Sequence, residues 1–492
     1  MPTGGGKGAQ SVNFTSLGFV AFFPAVLVLH WLLPSRRRWV LLLAASYLFY
    51  MDANPPLALL LLATTAVSYV CALRIDCAQT ARGRRRWLLP GAGAPLMCLI
   101  FFKYTGLLLA SGASLLRLSG LGVDTTDVNI LLPVGISFYT FQTLSYVLDV
   151  YRGRIRPERH FGYYALFVSF FPQLVAGPIE RPEHLLPQLK AERKPCGDDI
   201  RQGVWLMLRG FFKKLAVADV LAAIADPVFA AAGQATGPAV LTGTVCFALQ
   251  IYCDFSGYSD IACGSARLMG IRLMRNFDRP YRAQSIRDFW RRWHISLTGW
   301  FSDYVYKPLG GNRAGLAKQL RNILVVFLLS GLWHGASWNF LVWGGIHGLY
   351  QIAGTLWRRA FPQKRSNSAV PAGLRRLRTF ALTCFAWIFF RAASLGDAWL
   401  LVGRLLIGWD ALGLRTAYAT AGLTVPMCLQ VLLALGCLRL LERMPEELRP
   451  ARLPHETARR CLAVSLLLLT IAFSWLSVFS GTGENAFMYF QF

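Results

Sequence analysis

Between Arg321 and Arg358 the chain runs for 36 residues without an Asp, Glu, Lys or Arg. A straight helix rises ~1.5 Å per residue, so this run would reach ~54 Å against a bilayer hydrocarbon core of ~30 Å. The run is too apolar for a soluble surface and too long for one crossing. It must therefore enter the membrane and break or fold back, and Gly331, Gly335, Gly344 and Gly345 offer places to do so. Shorter uncharged runs repeat the signal at 8–35, 53–73, 128–148, 161–179, 227–253, 416–438 and 461–483. Interrupted apolar runs at 39–51, 87–116, 203–223 and 379–390 raise the expected number of crossings or deep segments to roughly 10 to 12.

Hydrophobic residues make up 55% of the chain and charged ones only 15%, against ~25% charged in an average soluble chain. That balance excludes an ordinary soluble enzyme. It also excludes a disordered or nucleic-acid-coating protein, despite a net charge of +26. The first ten residues carry one Lys and no small-residue cleavage site before a run too long for a signal-peptide core, so the first segment reads as an uncleaved span. With the N-terminus outside, the clusters Arg36 to Arg38, Arg82 to Arg86 and Arg152 to Arg159 all fall inside. The loop 119–129, free of Lys and Arg, then falls outside. This alternation obeys the positive-inside rule and accounts for most of the charge with anionic lipid as the partner. Eleven cysteines are scattered singly with no C-x-x-C, so neither a disulfide framework nor a metal site is expected. The polar connectors at 363–378 and 442–460 are too short to fold alone, which predicts a single membrane domain over 1–492.

Within that domain the region 254–347 has a different character. Ser285-Ile286-Arg287-Asp288 has the form of a capping box. After it, Phe289, Trp290, Trp293, Leu297, Trp300, Phe301 and Tyr304 recur at helical spacing, with Arg287, Arg291 and Arg292 on the other face. The pattern predicts one amphipathic helix in the membrane interface, its aromatic side toward lipid or core, ended by the turn Pro308 to Asn312. Three of the chain's seven histidines, His294, His334 and His347, lie within 54 positions here. His294 sits on the aromatic side, where a hydrogen-bonded core histidine is the plain alternative to a catalyst. His334 falls inside the uncharged run, and an ionisable group at membrane depth is costly and by default a functional candidate. A structural histidine bonding a neighbouring helix is the competing reading. Asp254 and Asp260, in an aromatic, glycine-containing segment, read as structural acceptors rather than acids.

These segments carry a resemblance. Asp288-Phe289-Trp290-Arg291-Arg292-Trp293-His294-Ile295-Ser296-Leu297, Asp303-Tyr304-Val305-Tyr306-Lys307-Pro308-Leu309-Gly310-Gly311-Asn312-Arg313 and Gly331-Leu332-Trp333-His334-Gly335-Ala336-Ser337-Trp338-Asn339-Phe340 are the main ones. Leu132 to Gln142, Phe171 to Ile179, Asp254 to Asp260, Phe389 to Ala392 and the terminal Phe487 to Phe492 follow the same pattern in the same order. Together they resemble the membrane-bound O-acyltransferase family, in the branch that acetylates alginate and related polysaccharides. The resemblance implies an all-α polytopic membrane fold of about eleven spans plus re-entrant or interfacial helices around a central tunnel. It makes His334 the membrane-embedded catalytic histidine and His294 the second active-site histidine. This chain departs from the pattern at Ser302, where relatives usually carry Arg, and at Lys307, where an apolar residue is common. Both departures bear on acceptor or partner specificity more than on chemistry.

The chemistry follows from the residues. A hydroxyl attacks a thioester once a base removes its proton, and neutral imidazole suits that task. The developing oxyanion needs hydrogen-bond donors, for which His294, the Asn339 amide and the Trp333 indole are candidates. Arg291 and Arg292, with Arg287, are candidates to attract coenzyme A phosphates, with a solvated, lipid-facing role as the alternative. The resemblance implies acetyl transfer from cytosolic acetyl-CoA, with no permanently bound cofactor, to an exported polysaccharide from a bacterial inner membrane. It also implies a periplasmic esterase-like partner that takes the acetyl group on a serine. Two alternatives stand beside it: D-alanyl transfer to teichoic acid, against which Leu309 to Arg313 argues, and a transporter with a proton-relaying histidine, which would call for internal symmetry that the sequence lacks.

Overall fold

The computed structural model describes residues 14–53, 55–119, 130–313, 315–361, 370–407, 409 and 425–443, with 464, 468 and 471 as single positions. The loop 119–129 past Ser119, residues 363–369 of the connector 363–378, the apolar run 461–483 apart from three positions, and the motif 487–492 lie outside the described residues. Among the described residues every regular element is a helix. Two compact units are present, Met1–Met207 with Ile261–Met274, and Leu208–Asp260 with Arg275–Phe492.

The first unit contains α1 (Leu17–Leu32), α2 (Ser35–Ala53), α3 (Pro55–Cys77), α4 (Ala81–Leu118), α5 (Ile136–Tyr151), α6 (Phe161–Ser169), α7 (Phe171–Leu174), α8 (Pro182–Lys190) and most of α9 (Gly197–Phe211). The Ser16 hydroxyl caps α1 by accepting from the Phe19 amide at 3.2 Å. Helices α3 and α4 approach closely because Gly91 has no side chain; a Cβ there would lie 2.8 Å from the Cys71 Cβ. The uncharged run 161–179, expected as a crossing or a deep segment, is not one continuous helix. It breaks at Phe170, with φ −52° and ψ 110°, and Pro172, lacking an N–H, starts α7 instead of extending α6.

The second unit holds a π-helical turn (Phe212–Ala218), α10 (Asp219–Ala230), α11 (Gly237–Leu268, grouped here up to Asp260), α12 (Ile286–Arg292), α13 (Ile295–Phe301) and a second π turn (Ser302–Tyr306). It continues with α14 (Leu316–His334), α15 (Trp338–Ala360), α16 (Ala372–Arg391), α17 (Leu395–Ile407) and α18 (Val425–Arg443). Among the described residues α3, α4, α11 and α14 are long and apolar enough to cross a bilayer, and α1 is a shorter apolar helix.

The 36-residue run folds back as expected, into α14 and α15 with the break at Gly335 to Ser337. Of the four glycines offered for the break, only Gly335 stands at it. Gly331 and Gly344 instead let the two helices touch: a Cβ on Gly331 would lie 2.2 Å from the Phe340 carbonyl oxygen, and one on Gly344 2.3 Å from that of Phe327. The amphipathic helix predicted from Ser285 onward is not continuous. It divides into α12 and α13 at His294, whose backbone is left-handed at φ 45° and ψ 54°. Its aromatic side is buried in protein, with Phe289 and Trp293 both 0% exposed.

Candidate active site

The start of α12 is fixed locally: Ser285 Oγ accepts from the Asp288 amide at 3.1 Å, as the capping box predicts. About two turns later the backbone turns left-handed at His294, between α12 and α13, and Asn276 holds the corner. The Ile295 amide donates to the Asn276 carbonyl at 2.9 Å, and Ser296 Oγ donates to Asn276 Oδ1 at 2.6 Å. A left-handed non-glycine residue is a strained position, and such positions cluster at functional sites. The strain aims the His294 ring into the protein, where it is fully buried.

His334 is the last residue of α14, so the break in the uncharged run is what presents it. Its ring centroid lies 6.3 Å from that of His294, and the Trp333 indole lies 5.6 Å from His294 and 4.9 Å from His334. Trp343 at 5.0 Å and Phe390 at 5.5 Å close the other sides of the His334 ring. Phe255 packs edge-on against His294 at 4.7 Å. Two imidazoles, 40 residues apart in sequence, thus share one aromatic cage. Burial pushes the His294 imidazole down to about 3, which keeps it neutral at physiological pH.

Behind Phe255 lies a buried ionic cluster that the sequence pattern hid. Lys213 and Lys214 are adjacent and both nearly inaccessible, because the π turn carries them against α11. The Lys214 ammonium donates to Asp254 at 2.7 Å and pairs with Asp219 at 2.9 Å. Lys213 pairs with Asp260 at 2.7 Å, and Arg209 grips the same carboxylate with bonds of 3.0 and 3.1 Å. At the crossing, a Cβ on Gly257 would lie 2.8 Å from the Gly210 carbonyl oxygen. Asp254 and Asp260 are therefore acceptors within an ion-paired brace, the structural role expected of them.

A cavity of about 480 Å³ lies among the same helices, and none of the cage rings is in its lining. Trp290, Leu297, Thr298 and Ser302 line it from α12, α13 and the second π turn; Gln319, Phe327 and Ser330 from α14; Gln351 and Thr355 from α15. Three guanidinium groups, of Arg287, Arg291 and Arg358, also line it. Among the described residues no carboxylate pairs with Arg287 or Arg291. Arg292, grouped with them from the sequence, is placed differently: it bonds Asp288 at 3.0 Å and reaches Asp278 at 3.6 Å, and it is absent from the lining. Ser302 faces this cavity, while Lys307 pairs with Asp303 at 2.6 Å.

Asn339, at the start of α15, donates its amide nitrogen to the Ala392 carbonyl at 2.7 Å, so that α15 is tied to the end of α16. Sequence reasoning missed Arg358, Gln319 and Gln351, which lie 32 to 71 positions away from Arg287 along the chain. Arg358 was legible only as the residue that ends the uncharged run.

Comparison with known proteins adds to this geometry. The family model of MBOAT, the membrane-bound O-acyltransferase family, matches residues 155–394. The chain is 40% identical over 407 residues to the probable alginate O-acetylase AlgI of Azotobacter vinelandii, covering 81% of this chain and 79% of that protein. It is 36% identical over 485 residues to the protein of the same description from Pseudomonas putida, covering 96% and 98%. The peptidoglycan O-acetyltransferase of Helicobacter pylori is 34% identical over 433 residues, with 81% and 80% covered.

Proposed function

Because this chain belongs to the membrane-bound O-acyltransferase family and is an O-acyltransferase, we propose that it passes acetyl groups from cytosolic acetyl-CoA toward hydroxyls of an exported polysaccharide. The observation that carries the reading is the His294 and His334 pair, 6.3 Å apart in an aromatic cage. Relatives described as alginate and peptidoglycan O-acetyltransferases support a polysaccharide acceptor.

The mechanism proceeds from the cavity to the cage. Arg287, Arg291 and Arg358 hold the phosphates of the donor, and its thin thioester-bearing arm lies along α14 from Gln319 to Ser330. Those eleven steps span ~16 Å, and Ser330 is one turn short of His334. The His334 imidazole takes the proton of the acceptor hydroxyl as its oxygen attacks the thioester carbonyl. The new C–O bond forms, the C–S bond breaks, and the imidazolium returns its proton to the departing thiolate. His294 stabilises the carbonyl oxygen as negative charge develops there, in a site where surrounding rings exclude water. Trp333 fixes the separation of the two imidazoles, and Asn339 fixes the start of α15. In this reading the chain is one membrane domain of about eleven spans around a tunnel, in a bacterial inner membrane. An esterase-like protein on the outer face takes the acetyl group on its own serine and hands it to the sugar.

Proteoliposomes loaded with labelled acetyl-CoA, with polysaccharide outside, test the reading. Label should reach the polymer only when a periplasmic partner is supplied. Polymer labelling by this chain alone would remove the relay, and turnover with a D-alanyl carrier protein but not with acetyl-CoA would replace the donor.

A further inference from the structure

His347, the third histidine of the region, belongs to neither half of the pair, yet its ring is 0% exposed. Its Nδ1 lies 3.2 Å from the Trp290 indole nitrogen. An indole N–H only donates, so Nδ1 must accept and the neutral ring carries its proton on Nε2. That Nε2 is buried and has no hydrogen-bond partner among the described residues. A proton added at Nδ1 would confront the indole N–H and break the bond, so His347 cannot act as a base there while Trp290 stays in place. The ring is also held by packing: Trp343 and Trp290 stand edge-on at 5.1 Å, and Phe289 and Phe327 stack at 6.3 Å. Two of these neighbours, Trp290 and Phe327, line the 480 Å³ cavity, whereas His347 does not. The ring therefore stands behind the cavity wall.

We propose that His347 is a positioning residue, fixing the Trp290 indole as a wall of the donor cavity through the Nδ1 bond. The inference rests on reading that cavity as the path of the acyl donor. An indole released from this bond can turn into the cavity or away from it, and either movement weakens donor binding without touching the reacting atoms. Loss of one buried hydrogen bond corresponds to about a five- to tenfold change.

Donor KM and kcat should be measured for the full-length protein in proteoliposomes. His347→Phe keeps the ring but removes the acceptor, and should raise the KM for acetyl-CoA about five- to tenfold with kcat within about twofold. His347→Asn places an amide oxygen near the position of Nδ1 and should restore most of the KM. Trp290→Phe breaks the same bond from the other side, serving if His347→Phe fails to fold, and the double variant should be no worse than the worse single one. A collapse of kcat in both His347 variants would make His347 a catalytic residue. Additive losses without rescue by Asn would reduce it to packing, and an unaltered KM in His347→Phe would remove the role. A wild type that takes no acetyl-CoA sinks the donor reading by itself, before any variant is compared.

Discussion

The ring centroids of His294 and His334 lie 6.3 Å apart, with the Trp333 indole packed against both. The two rings reach this position by different backbone devices: His294 sits on a left-handed corner held by Asn276, and His334 ends a helix where an apolar run is forced to break. Neither ring can be moved by a simple side-chain rotation, because each is walled by aromatic rings.

His334→Ala should abolish acyl transfer while the protein stays folded and membrane-inserted. Loss of a positioned general base costs roughly 10²- to 10⁴-fold in rate. His294→Ala should cause a severe but smaller loss, since a carbonyl-stabilising group contributes alongside the base. Turnover of labelled acetyl-CoA by purified variants checks both, and wild-type rates in His334→Ala would remove it from the chemistry.

The guanidinium groups separate into two kinds. Arg291→Gln and Arg358→Gln each remove a charge from the cavity lining, and each should raise donor KM by about tenfold, with less effect at high salt. Arg292→Gln instead breaks pairs with Asp288 and Asp278 and should lower the melting temperature with little change in KM. A KM effect confined to Arg292→Gln would reverse the assignment.

What was legible in the sequence was what depends on local chemistry. Ser285 with Asp288 marks a helix start because capping joins residues three positions apart, and the run between Arg321 and Arg358 announces its own break because its length exceeds a membrane. The break at His294 was hidden, since helical spacing continues through it and the hydrogen bonds that hold the corner come from Asn276, 18 positions earlier. Arg358 was hidden for the same reason: only the packing of α15 brings it to the cavity of Arg287 and Arg291. Lys213 and Lys214 look like interruptions of an apolar run until the carboxylates of Asp254 and Asp260 are seen opposite them.

Burial of His294 has a consequence for stability. Its folded-state value is pushed down to about 3, below the ~6.5 of an unfolded chain, so between those values the unfolded protein binds a proton that the folded one refuses. The stabilisation is fully present above pH ~6.5 and is lost as pH falls toward 3, at up to ~1.4 kcal/mol per pH unit. Melting curves of wild type and His294→Phe in detergent should therefore converge, or cross in favour of the variant, between pH 7 and pH 5. Parallel curves would mean that His294 gains no proton on unfolding.

The brace behind the cage couples stability to activity. Lys214 is buried between Asp254 and Asp219, and Phe255, the next residue after Asp254, packs on His294 at 4.7 Å. Lys214→Met leaves two carboxylates facing each other without their cation, and removing one partner of a buried ion pair costs about 3 to 5 kcal/mol. The variant should melt well below wild type, and the protein that remains folded should have reduced kcat, because Phe255 no longer holds the His294 ring. A triple change, Lys214→Met with Asp254→Asn and Asp219→Asn, removes the uncompensated charges and should recover most of the melting temperature, as apolar or neutral replacement of a whole buried pair is often tolerated. If kcat recovers with it, the brace acts only by keeping α11 in place. If stability recovers and kcat does not, the Asp254 carboxylate itself is needed to set Phe255 against His294.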